Sequence, residues 1–99
     1  MQIQQGDVLF VQVNAIPDAA RKLKTKTIAE GESTGHAHVA IADDVCLYER
    51  DGVLYVSAPT GAEIKHQEHA PVTLPPGDFQ VGIVQEYDYD RMERARVID

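Results

Sequence analysis

Ninety-nine residues, 43% of them hydrophobic and 25% charged, suit one globular domain with a core of its own, over 1–99. A formal net charge of -7 sets the surface against phosphate backbones, so no nucleic-acid partner is expected. The lone cysteine, Cys46, excludes an internal disulfide and suits a reducing compartment. With no signal-peptide pattern and no apolar run near the ~18–20 residues that span a bilayer, a cytoplasmic protein without a membrane partner is expected.

The first element is a strand over "GDVLFVQV", opened by a Gly6-Asp7 turn. Its continuous run Val8 to Val11 implies burial on both faces or nearly so. "NAIPDAARKLK" follows, where Pro17 and Asp18 fit a first helical turn, so at most one short helix is expected, near Pro17 to Leu23. The basic cluster Arg21, Lys22, Lys24 and Lys26 has no aromatic company and reads as a solvated loop or short helix. "TKTIAEGE" is a strand ended by Gly31, and "HAHVAIA" is the next strand after a turn at Gly35. "VCLYER" and "VLYVSA" flank Asp51-Gly52, which predicts an antiparallel hairpin with a two-residue type I′ turn. "AEIKHQEH" is a further strand, and Pro76-Gly77 centres the turn before it gives way to the long strand "FQVGIVQEYDY". Phe79, Val81 and Ile83 share one face of that strand. Seven or eight short strands with at most one short helix predict an all-β domain. It is either a small barrel or a two-sheet sandwich of jelly-roll type.

Chemistry-bearing residues concentrate in the four histidines, His36, His38, His66 and His69. Strand alternation points His36 and His38 the same way, about 7 Å apart along the chain, so both imidazoles can reach one ion. If Val39 and Ile41 mark the core, the pair faces outward. If the face of Ala40 and Ala42 lines the interior, the histidines point inward where the alanines leave room. His66 shares a face with Ala62 and Ile64 and is expected to come within reach of His36 and His38. His69, three residues on and just before Pro71, shares the site only if the strand ends or bulges there, and is expected to matter less. Such a set would hold zinc, iron, nickel or manganese. The same four residues can equally be hydrogen-bonded structural histidines or a polar pocket for a small anion. Glu68 is a candidate ligand or general base, and Glu32, Ser33 and Thr34 lie beside the first pair. No nucleophile elbow is present, which argues against a serine hydrolase. Cys46 reads as a structural thiol, and Tyr87 and Tyr89 lie in an acidic final segment.

The His-x-His after a glycine turn resembles the first cupin motif, and "LPPGDF" resembles the turn of the second. The cupin glutamate has no counterpart, since Glu49 falls eleven residues after His38, and no histidine follows the proline-glycine turn. The resemblance spans about half the chain and departs at two of four ligand positions. "QGDVL", "GHAH", "HQEHAPVTLPPGDFQV" and "QEYD" together are similar to small uncharacterised bacterial proteins of about this length. That likeness implies a compact domain and carries no chemistry with it. Two function classes follow: a β protein that binds a divalent metal through a histidine cluster, or a non-catalytic module that pairs with a protein partner or with itself as a homo-oligomer.

Overall fold

A strand patterned with period two must bury one face, and two sheets satisfy that need against each other. The computed structural model describes residues 1–30 and 36–83. Among these, the strands are β1 (Gln2–Gln5), β2 (Val8–Val13), β3 (Arg21–Leu23), β4 (Thr27–Glu30), β5 (Ala37–Ile41), β6 (Cys46–Arg50), β7 (Val53–Ala58), β8 (Ala62–Lys65), β9 (Val72–Leu74) and β10 (Gly77–Ile83). They form a six-stranded sheet in the order β1-β2-β10-β7-β6-β3 and a four-stranded sheet in the order β4-β5-β8-β9, antiparallel throughout. Neither sheet closes on itself, so the sandwich of the two expected architectures is the one formed, and the barrel is not.

The core lies between the layers. Val8, Phe10, Leu47, Val56, Ala58 and Phe79 come from the larger sheet, and Ile28, Ala40, Ala62, Ile64 and Leu74 from the smaller. β8 shows the alternation cleanly: Ala62 and Ile64 are buried, while Glu63 is half-buried and Lys65 exposed. In β2 only one face is sealed. Val8 and Phe10 are fully buried, but Leu9 and Val11 stay half-exposed on the outer face of the sheet, which corrects the expectation of burial on both.

Near the basic cluster the chain takes the helix-free form of the at-most-one-helix expectation, and the loop-or-helix reading of the cluster gives way. No helix forms near Pro17 to Leu23; one turn closes from the Ala20 N–H to the Pro17 carbonyl at 3.0 Å, and the chain then enters β3. A helix of two turns carries its nucleation cost over very few hydrogen bonds. Pairing with β6 in the register Arg21↔Glu49 to Leu23↔Leu47 offers more, and sets Leu23 against the core. The cluster is therefore part edge strand, with Arg21 bridged to Glu49 at 2.6 Å. The Asp51-Gly52 hairpin forms as expected: Arg50 pairs with Val53, and φ is 54° at Asp51 and 80° at Gly52, the two positive values of a type I′ turn.

Candidate functional site

The histidine face of β5 is the interior face. Ala40 is 2% exposed and His38 4%, whereas Ile41 on the opposite face is 48% exposed. Small alanines leave the interlayer space that imidazoles occupy, and the register slips by one residue between β4 and β5 directly beside His38, with Thr27↔Val39 followed by Ala29↔His38. His66 follows β8 on the face of Ile64, and β8 lies next to β5 with Val39 opposite Lys65. The ring centroids of His38 and His66 are consequently 4.3 Å apart, and those of His36 and His66 5.6 Å.

His69 joins them more closely than alternation implies. β8 stops at Lys65, so residues 66–71 follow no strand period and the chain folds back over the site. The Ala37 N–H donates to Gln67 Oε1 at 2.9 Å and ties this loop to β5. His69 stands 4.6 Å from His66 and lies parallel to His38, 14° between planes at 6.1 Å. The condition for His69 to share the site, that the strand ends before it, is thus met.

Gln5, which sequence reading passed over, and Gly6 and Asp7, read there only as a turn, organise the cluster. Gln5 ends β1, is 2% exposed, and bridges three parts of the fold. Its Nε2 donates to the carbonyls of Ile64 at 2.8 Å and Ala70 at 2.9 Å, which uses both amide protons. Gln5 Oε1, 2.8 Å from His38 Nδ1, can therefore only accept, and His38 Nδ1 must carry a proton. In the neutral ring that leaves a lone pair on Nε2. Asp7 Oδ1 lies 3.5 Å from that nitrogen. Gly6, between the two, has φ of 58°, and a Cβ there would fall 2.5 Å from His69 Nε2, so the glycine gives the ring its place. The available signal was an inward position two residues after Ile3 filled by a polar amide, followed by Gly-Asp.

His66 is held in the opposite tautomer. Its Nδ1 accepts the Glu68 N–H at 3.0 Å, so in the neutral ring the proton sits on Nε2. Glu68 also places Oε2 3.5 Å from His36 Nδ1. Burial pushes the His38 pKa below its ordinary 6.5; positive charge on His66 and then on His69 pushes the same way, against the pull of Asp7. The ring pairs are stacked, tilted or edge to face, and among the described residues no three histidine, cysteine, aspartate or glutamate side chains are arranged to hold a metal ion as they stand. Glu32, Ser33, Thr34, Tyr87 and Tyr89 lie outside the described residues. Cys46 is half-buried on β6, with Sγ 4.0 Å from the Asp44 carbonyl. A concavity of about 340 Å³, lined in part by Ile16, Asp18, Tyr48, Ser57 and Asp78, lies against the face of the larger sheet away from the core and contains no histidine.

No helix among the described residues is long and apolar enough to cross a membrane. No curated protein and no solved structure matches the chain. Residues 4–84, which include all four histidines together with Gln5, Gly6 and Asp7, match one family along their whole length, and the chain belongs to that family, described as Domain of unknown function (DUF8820).

Proposed function

We infer that this domain binds a divalent transition metal through the histidine cluster of His36, His38, His66 and His69. The observation that carries the reading is the Gln5–His38 hydrogen bond. An imidazole that donates one ring N–H to a fixed oxygen is held in a single tautomer with its other nitrogen ready to ligate, the arrangement common behind metal-bound histidine. Two further imidazoles, His66 and His69, flank that ring and His36 flanks His66, and neutral imidazole suits zinc, iron, nickel and manganese. His66 must give up the Glu68 N–H, or turn its ring, before it can ligate through Nε2. Closing on an ion therefore means small rotations in the 66–71 loop, with His38 as the fixed point.

Elemental analysis by mass spectrometry of the full chain, purified without a histidine tag, tests this. Close to one equivalent of a single metal is the expected result, lost in His38→Ala and reduced in His36→Ala. Affinity should fall on acidification, because the ligands must be deprotonated. A metal-free chain that takes up neither zinc, iron, nickel nor manganese sinks the reading. It would return the histidines to a structural polar layer, and the domain to the class of interaction modules that pair through a sheet.

A further inference from the structure

We propose that the concavity on the outer face of the larger sheet binds a small aliphatic amine in its protonated form, held between the carboxylates of Asp18 and Asp78. This site is separate from the histidine corner: it lies on the far side of the sheet and shares no residue with it. The order of the strands builds it. β2 and β3 follow one another along the chain, yet β10, β7 and β6 lie between them in the sheet. Residues 14–20 must therefore cross four strand spacings, about 19 Å. Extended chain advances at most about 3.3–3.6 Å per residue, so this strap has little slack. A turn within it, closed from the Ala20 N–H to the Pro17 carbonyl, shortens it further. The strap passes over the outer face of the sheet and leaves about 340 Å³ beneath it, a volume within the range of small-molecule sites.

Register sets the floor. Asp78 of β10 pairs with Ser57 of β7, and Ser57 with Cys46 of β6; Tyr48, two residues beyond Cys46, faces the same way. Their neighbours Phe79, Val56 and Leu47 are fully buried in the core, so Asp78, Ser57 and Tyr48 face the strap. Ile16, Pro17 and Asp18 line the space from the strap itself. A ligand between the two layers thus meets one carboxylate from the sheet, one from the strap, an aromatic ring and an apolar wall. Asp78 is half-buried, and neither it nor Asp18 has a hydrogen bond or ion pair among the described residues. Lys22, opposite Tyr48 on β3, is exposed and bridges to neither. An anion is repelled from such a space, and a neutral apolar ligand would desolvate carboxylates without pairing them. An alkylammonium answers every feature. Its N–H groups donate to carboxylate oxygens, its charge suits the face of the ring, and its chain packs against Ile16 and Pro17. The Ser57 hydroxyl can accept a further N–H.

The test follows the amide NMR spectrum of the isotope-labelled full chain during titration with n-butylammonium chloride and, separately, with n-butanol of the same shape. Salt at about 0.15 M screens diffuse attraction to the acidic surface. Butylammonium should shift the amides of Ile16, Asp18, Ser57 and Asp78 saturably. It should bind about tenfold or more tighter than n-butanol, the gain of one charge-assisted hydrogen bond. Asp78→Asn and Asp18→Asn should each weaken butylammonium about fivefold or more and leave n-butanol unchanged. Asp18 is exposed, so Asp18→Asn is expected to fold even where Asp78→Asn does not, and the dispersion of the amide spectrum reports the fold of each. Equal affinity for amine and alcohol overturns the proposal, as does a folded variant that binds the amine as tightly as the wild-type chain. It also falls if the wild-type shifts do not saturate, or spread over the acidic surface away from these residues. Calcium chloride that moves the same amides while butylammonium does not would assign the carboxylates to a metal ion and end the amine site.

Discussion

At the scale of single residues, Gln5 is the side chain on which the site depends. It spends three hydrogen bonds inside the protein, two to backbone carbonyls and one to His38. Gln5→Leu keeps the volume but strands two carbonyls and a ring N–H, and should cost about 3 kcal/mol, measured as a lower urea midpoint with the slope unchanged. His38 adds a pH dependence whose sign is fixed by its lowered folded pKa. As pH falls below the unfolded value of 6.5, the unfolded chain takes up the proton before the folded one. The contribution of His38 to stability is therefore complete above 6.5 and is lost as pH falls from there through the folded pKa. Urea unfolding of metal-free protein should show a lower midpoint at about pH 5.5 than at about pH 7.5, and the difference should shrink in His38→Ala. Gly6→Ala forces a Cβ into a positive-φ turn and against His69 Nε2. A loss of about 1 kcal/mol and a displaced His69 ring proton resonance are expected, and an unshifted His69 signal would contradict the cradle.

At the scale of elements, the hairpin from β6 to β7 holds together five paired positions across a two-residue turn. Nothing lies within 4 Å of a Cβ built at Gly52, so only its φ of 80° restricts the residue there. Gly52→Val should thus lower stability by about 1 kcal/mol or more through backbone strain alone, and an unchanged thermal midpoint would refute that account. The short β8 teaches the opposite lesson. Its alternation ends at Lys65, and the loop beyond it is held by Gln5 of distant β1, which donates to the Ala70 carbonyl, and by the loop's own Gln67, which accepts from the Ala37 N–H of β5. A period-two argument placed His66 correctly and could not place His69, because periodicity has no meaning past the last paired residue.

At the scale of the whole molecule, one interlayer core couples the two sheets. Phe10 and Phe79 are fully buried on the larger sheet, opposite Ile64 and Leu74 of the smaller. Phe79→Ala should cost about 3–5 kcal/mol, and if the core is shared the unfolding transition should stay single when followed by circular dichroism and by tyrosine fluorescence. The sequence by itself determined the all-β class, the Asp51-Gly52 hairpin and the common face of His36 and His38, because each depends on interactions between residues close together along the chain. Which face of β5 turns inward depended on what packs across from it, and there the alanines won over Val39 and Ile41 because the imidazoles share their side. β3 took shape only because β6 was there to pair with it. Gln5 met His38 across thirty-three positions and Ile64 across fifty-nine. A buried amide chooses its partners by direction and distance in three dimensions, and those are set only when the two sheets have closed over it.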